Sequence, residues 1–381
     1  MISLIVPVYN ARPYLSDLVG NLQRQTFAEF EVLFVDDCST DGSREELRRI
    51  EKVDSRFRMF EHSTNRGPGA SRNTGLANAR GEFVMYVDDD DSFGTDYLRT
   101  MHDFIVRDGS DVVICNSIWE YPERRDLHNT FIDRPKTKHL LLNGRDALRR
   151  YFHIYSADLW IPVEPWGKIV RRTLLSKNDL WFKEALFEDV VMTFCELTFS
   201  NTVTFISDPL YVYNKKSANA ATVASRGQCI REMYRAPEGI VEIVNQRGME
   251  RELGEFTHLF FFRFLNGTYS FFAKGLQLRD EMKYALGRYR TVITQPDVGD
   301  HAAEVLQHLR GFYCEMKEHG MLDLYTEFLL PFRSWLDFVV MEQLLRPKPG
   351  VRREVVEALS VLGGAAKVIG GRIWKHIGLR S

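Results

Sequence analysis

Between Ile2 and about Ser117 the chain alternates short apolar runs with amphipathic segments. The runs are Ser3–Val8, Glu31–Val35, Arg58–Glu61, Phe83–Val87 and Asp111–Cys115, and between the first two Leu15, Leu18, Val19 and Leu22 recur at helical spacing. Continuous apolar runs suit strands buried on both faces, and helical segments between them suit crossover connections. The pattern therefore predicts an α/β fold with a mostly parallel, Rossmann-like sheet flanked by helices. From Ile118 to Asn143 the periodicity is lost and Pro122 and Pro135 intervene, which predicts an irregular loop. Gly144–Tyr155 reads as a helix, and Val203–Ser207 and Leu210–Lys216 read as two further strands.

Beyond about Arg226 the texture is helical. Phe256, Leu259, Phe260, Phe264, Phe271 and Phe272 form a thick apolar stripe, either a packing core or an oligomer surface. From Arg346 onward Lys and Arg gather around Val355, Val356, Leu359, Leu362, Ile369, Ile373 and Trp374. A basic amphipathic helix of this kind can lie on an anionic membrane surface, dock on its own domain or pair with a second subunit. The pattern thus divides the chain into residues 1–225, a helical region 226–345 and a basic tail 346–381.

Hydrophobic residues make up 44% and charged residues 27% of the 381, ordinary values for a globular protein. A net charge of -2 argues against a nucleic-acid partner, which would call for a basic surface. Five scattered cysteines without a CxxC pair fit a reducing, cytoplasmic setting and argue against a disulfide framework or a zinc site. The start, Met1 to Val8, lacks the basic and cleavage segments of a signal peptide. No run approaches about 18 apolar residues, so no membrane span is expected.

The run Phe83–Val87 ends in four successive carboxylates, Asp88, Asp89, Asp90 and Asp91. Adjacent anions repel one another and resist burial unless neutralised. An acidic run at a strand end therefore implies a cation, and Mg²⁺ or Mn²⁺, which share hard oxygen ligands with phosphates, are the natural candidates. Ligands of open α/β sheets sit at such strand ends. The other exits carry Pro7, Tyr9 and Asn10, then Asp36 and Asp37, then Asn65 to Asn73. Tyr9 could stack on a base, and Asp37 could accept the imide N–H of uracil or a ribose hydroxyl. Gly67-Pro68-Gly69 could cradle a phosphate, whereas Asp41-Gly42-Ser43 reads equally well as a helix start. Neither Walker spacing nor GxGxxG is present.

Five stretches in one order carry a resemblance: Ser3–Asn10, Gln25–Val32, Val35–Ser43, Asn65–Asn73 and Tyr86–Asp91. Together they resemble glycosyltransferase family 2, the inverting enzymes of the GT-A fold, with Cys38 where that family usually has Gly. The resemblance covers a little over half the chain. It implies that Asp37 contacts the base and that Asp88 and Asp90 form the DxD motif, with Asp90 binding the Mn²⁺ or Mg²⁺ that holds the donor diphosphate. Asp89 and Asp91 are the alternatives in register, with Asp91 also readable as the cap of a helix starting near Gly94. Pro7, Tyr9, Arg72, Asp88 and Asp89 complete the nucleotide-sugar set, with Lys216 and Thr222 as phosphate contacts.

Glu188-Asp189 matches the family's Glu-Asp motif, which implies Asp189 as general base and Glu188 as its support; a plain acidic helix start is the other reading. Trp166, in Trp166-Gly167-Lys168, is either an acceptor wall or core packing. The implied activity is transfer of a sugar, with UDP the preferred carrier over GDP or dTDP, to a glycan or lipid-linked acceptor in surface polysaccharide assembly. A peripheral position on the inner membrane face would accompany it. A non-catalytic nucleotide-sugar-binding scaffold is the alternative. A nucleotidyltransferase would need a glycine-rich basic loop after the first strand, and a processive membrane synthase would carry spans and a QxxRW motif.

Overall fold

Strand β1 (Ile2–Val8) is buried along almost its whole length, because it has a parallel neighbour on each side. β2 (Phe30–Asp36) pairs with it from Ile2 opposite Phe30 to Val8 opposite Asp36, and β4 (Phe83–Tyr86) pairs from Ile2 opposite Phe83 to Ile5 opposite Tyr86. The computed structural model describes residues 1–121, 123–128, 139–152, 161–183, 187–214, 235–249 and 253. Its sheet runs β3-β2-β1-β4-β9-β6-β10-β5, with β3 Phe57–Glu61, β5 Ser92–Phe93, β6 Val112–Glu120, β9 Lys168–Arg171 and β10 Thr202–Asn214. β7 (Arg125–His128) pairs with β6, and β8 (His139–Asn143) with β10.

Helices cover both faces. Ile2, Leu4, Val6 and Val8 share one apolar cluster with Leu15, Leu18 and Leu22 of α1 (Arg12–Gln23) and with Leu98, Met101 and Ile105 of α4 (Tyr97–Asp108). Each such side chain contributes about 1.5–3 kcal/mol on burial, which is why the spacing at 15, 18 and 22 seats α1. α2 (Ser43–Val53) adds Leu47 and Ile50 to this layer. On the other face α3 (Gly67–Asn78) lies so close to β1 that a Cβ at Gly75 would come within 2.3 Å of Ile5. Further helices are α5 (Gly144–Phe152), α6 (Arg172–Lys177), α7 (Glu188–Phe199) and α8 (Arg235–Gln246).

The sheet is mixed rather than mostly parallel. β1, β2, β3 and β4 are parallel, as are β6 and β10, but β9 runs antiparallel between β4 and β6, and β5, β7 and β8 are antiparallel too. Antiparallel partners need no crossover helix, so the strand–helix alternation could not announce them. The expected loop from 118 to 143 instead contains the end of β6, β7 and β8. The two strands expected at 203–216 are one strand, β10, whose register against β6 shifts on either side of Pro209, a residue without a ladder N–H.

The chain divides into two compact units, Met1–Val223 and Ala224–Ser381. In the second, α8 buries Ala236, Ile240 and Val244 along one stripe. The stripe from Phe256 to Phe272 and the basic tail lie outside the described residues. No helix among the described residues is long and apolar enough to cross a membrane.

Candidate active site

The pairing registers bring the exits of β2, β1 and β4 side by side, so Asp37, Tyr9 and Asp88 stand along one sheet edge. Tyr9 is 50% exposed, an aromatic ring left in solvent at a strand end, and its backbone N–H donates to Asp89 Oδ2 at 3.2 Å. Pro7, half-buried, lies opposite Val35 within β1. Asp37 differs from the expectation of an open base-reading carboxylate. It is 3% exposed; Oδ1 pairs with His62 Nδ1 at 2.7 Å and accepts the Arg66 N–H at 2.9 Å, while Oδ2 accepts the Gly67 N–H at 2.7 Å. It anchors the turn into α3, and a base contact would have to add to those bonds.

The acidic run is clipped to the end of β10. Tyr211 Oη donates to Asp91 Oδ2 at 2.7 Å and accepts the Asp88 N–H at 3.2 Å. The Asn214 N–H donates to Asp91 Oδ1 at 2.8 Å, and Asn214 Nδ2 to the Asp90 carbonyl at 3.1 Å. Asp91 is therefore a buried structural anchor and caps no helix, since α4 begins only at Tyr97. This leaves Asp88, Asp89 and Asp90 half-buried at the surface of the run. Burial, then the charges of Asp90 and Asp88, push the Asp89 carboxyl well up; burial and the same neighbours do so for Asp91. Below lies Trp166, 3% exposed and stacked on Tyr211 with centroids 4.8 Å apart and on Tyr213 at 5.1 Å. Both contacts make it core beneath the acidic run rather than an acceptor wall.

Arg72 of α3 joins this run to α7. Its Nη2 donates to Asp88 Oδ1 at 3.0 Å and its Nη1 to Glu188 Oε1 at 2.6 Å, across 116 positions of sequence. The guanidinium is buried, stands 5.4 Å over the Phe182 ring, and keeps its Nε without a partner. Burial disfavours its charge, but Asp88, Glu188 and Asp189 more than compensate. Next to it, Asn73 pairs in both directions with the Phe182 backbone at 2.8 Å. A Cβ on Gly69 would meet the Lys183 carbonyl at 2.6 Å. At Gly69 the glycine turn expected to cradle a phosphate is thus closed by the chain's own backbone, whereas Gly67 faces open space.

α7 starts after Phe187, whose φ of 63° places a bulky residue in the left-handed region, a strain met at functional sites. Glu188 is buried, and burial lifts its carboxyl to about 7 against the opposing pull of Arg72. Asp189 is half-exposed and also raised by burial, with Arg72 and Lys168 pulling the other way. Lys168, His62, Tyr211 and Asn214 are the site residues that sequence reasoning did not single out; their only signals are a Trp-Gly-Lys turn and the apolar-flanked Tyr211-Val212-Tyr213. Lys216 and Thr222 lie outside the described residues.

Among the described residues no group of three or more His, Cys, Asp or Glu side chains forms a ready cage for a metal. The hard oxygens of Asp88 and Asp90, half-buried at the end of the run, nonetheless fit an ion that takes few protein ligands and completes its shell with water and phosphate oxygens.

Known proteins resemble this chain in sequence and fold. Residues 3–158 match the model of "Glycosyl transferase family 2". The chain is 32% identical to the poly(ribitol-phosphate) beta-N-acetylglucosaminyltransferase TarS of Staphylococcus aureus (strain MW2) over 255 residues, which are 65% of this chain and 40% of TarS. It is 30% identical to EpsH of Bacillus subtilis (strain 168) over 221 residues, 56% of this chain and 60% of EpsH. The chain thus spans less than two thirds of each of these relatives. The crystal structure of S. aureus TarS 1–349 in complex with UDP-GlcNAc matches with a TM-score of 0.64 and 25% identity, over 87% of this chain and 91% of that one. Residues 3–158 thus match the glycosyl transferase family 2 model, and the mixed α/β sheet with flanking helices matches the GT-A fold of TarS.

Proposed function

We propose that the protein is an inverting, metal-dependent glycosyltransferase that moves a sugar from a nucleotide sugar, with UDP the favoured carrier, to a hydroxyl of a glycan or lipid-linked acceptor. The observation that carries this reading is Arg72, whose guanidinium draws Asp88 and Glu188 to one point and feels Asp189 as well. Two acidic stretches far apart in sequence are thereby held by one guanidinium. The likeness to TarS, crystallised with UDP-GlcNAc, supports a UDP-sugar donor.

In this reading Tyr9 stacks on the base and Asp88 and Asp90 hold the divalent ion, which when bound supplies positive charge to the leaving diphosphate. Asp189 accepts the proton of the acceptor hydroxyl as its oxygen attacks the anomeric carbon. The new C–O bond forms from the face opposite the breaking bond to the phosphate oxygen, the nucleoside diphosphate departs with that electron pair, and the configuration inverts. Glu188, tied to Arg72, fixes the turn that presents Asp189. The basic tail would bring the active site to an anionic membrane surface on the cytoplasmic side, where lipid-linked acceptors reside, a reading that rests on the sequence alone.

The test is a panel of sugar nucleotides assayed for Mn²⁺-dependent turnover, followed by Asp189→Asn on the best donor. Turnover should vanish while calorimetric binding of UDP persists. Turnover retained in the variant ends the base assignment, and donor binding by the wild type with no turnover favours a scaffold instead.

A further inference from the structure

Directly after β3 stands a buried imidazole that the mechanism leaves idle. His62 is 8% exposed, and both of its ring nitrogens are engaged: Nδ1 pairs with Asp37 Oδ1 at 2.7 Å, and Nε2 with Thr74 Oγ1 of α3 at 2.9 Å. Its backbone N–H donates to the Asp36 carbonyl at 2.8 Å, and the Asp37 N–H donates to the Val8 carbonyl at 2.8 Å. The ring is thus fixed from the exits of β2 and β3 and from α3 at once. Asp37 also accepts the N–H groups of Arg66 and Gly67, so its carboxylate is surrounded by donors. Nδ1 of His62 must then carry the imidazole proton, since a carboxylate only accepts. A carboxylate offers about four lone-pair sites. Oδ1 is occupied by His62 and Arg66, whereas Oδ2 takes Gly67 at 2.7 Å and only the longer arm, 3.1 Å, of the shared Arg66 N–H. Oδ2 is therefore the oxygen with room for one more donor.

We propose that His62 is a positioning residue for recognition of the donor's base. By holding Oδ1 it stops the Asp37 carboxylate from turning about its soft terminal torsion, and keeps Oδ2 presented to the base. A carboxylate fixed in this way selects a ring that offers an N–H over one that offers a bare nitrogen. Uracil carries an N–H at N3; cytosine carries an acceptor there, which the carboxylate repels. The proposal rests on the reading of the protein as a nucleotide-sugar enzyme whose base lies between the exposed Tyr9 and Asp37, neighbours along one sheet edge. Thr74 completes the device from α3, because a ring bonded at both nitrogens cannot flip.

The test compares calorimetric affinities of the full chain for UDP and CDP. The wild type should prefer UDP by about tenfold or more. His62→Gln sets its amide where Nε2 stood and leaves Asp37 without this donor, so the preference should fall by about tenfold. His62→Asn sets its amide where Nδ1 stood and should restore the preference. A merely structural imidazole would weaken both nucleotides together, with Asn no better than Gln; that result, or an unchanged preference in folded His62→Gln, overturns the proposal. Should His62→Gln not fold, the wild type gives a second readout through ¹⁵N spectra of the chain labelled at histidine, with the His62 signal assigned by its loss in His62→Asn. The proton should sit on Nδ1, and the signal should move on saturation with UDP; a bare Nδ1, or a signal indifferent to UDP, overturns the proposal. Failure of the underlying reading would show separately, as a wild type without preference or a preference that survives Asp37→Asn, and would take the proposal with it.

Discussion

Replacing Glu188 by Gln should free the fold of a pH-dependent burden. Glu188 is 7% exposed, and burial, opposed by Arg72 and reinforced by Asp189, lifts its carboxyl from 4.5 to about 7. A folded-state value above the unfolded one means that the native protein keeps a proton the unfolded chain gives up. The group's favourable contribution is therefore complete below about pH 4.5 and is lost as pH rises through about 7. The loss amounts to about 3 kcal/mol. Gln keeps an acceptor oxygen for Arg72 Nη1 but cannot titrate. The variant should consequently gain about 3 kcal/mol on the wild type between about pH 5 and pH 8. In urea titrations of the N-terminal unit this is a separation of about 1 M in midpoint, for a slope of about 3 kcal/mol per molar. A gap between the two proteins that stays constant over that range, or moves the other way, would refute the reasoning.

Two further substitutions probe the framework of the site. Tyr211→Phe removes the hydroxyl that donates to Asp91 and accepts from the Asp88 N–H, leaving a buried carboxylate oxygen short of a donor. It should cost about 1–3 kcal/mol by thermal or urea unfolding and weaken UDP binding in calorimetry; an unaltered affinity would separate the clip from donor binding. Gly69→Ala would place a Cβ 2.6 Å from the Lys183 carbonyl and 3.1 Å from Glu188 Cγ, so α3 must shift. A cost of about 1–3 kcal/mol is expected, and a variant melting with the wild type would contradict the close packing described here.

Much of the architecture was legible because buried parallel strands are uninterrupted apolar runs and because α1 shows its stripe at Leu15, Leu18 and Leu22. The acidic stretches were equally plain, being local in sequence. What escaped reading is what depends on distant partners. β9 is four residues long and carries Lys168, a residue type that defaults to the surface; only the fold sets it under Thr193 and Glu196. Asp37 read as a base or ribose contact; its bonds to His62 and to the backbone N–H groups of Arg66 and Gly67 depend on the fold and leave no mark in a sequence. Trp166 read equally well as a wall or as core until β10 supplied Tyr211 and Tyr213 as stacking partners.

The interlock of α3 with the segment before α7 bears on how this chain could exchange parts with its relatives. Asn73 grips the Phe182 backbone from both sides, Gly69 abuts Lys183, and Arg72 holds Glu188. A chimaera that imports residues 180–190 from a relative to change acceptor preference would bring in a key cut for another lock. The acidic strand exits and the start of α7 meet through a shared hinge pin, and recombination that respects it must carry residues 67–73 along with the graft.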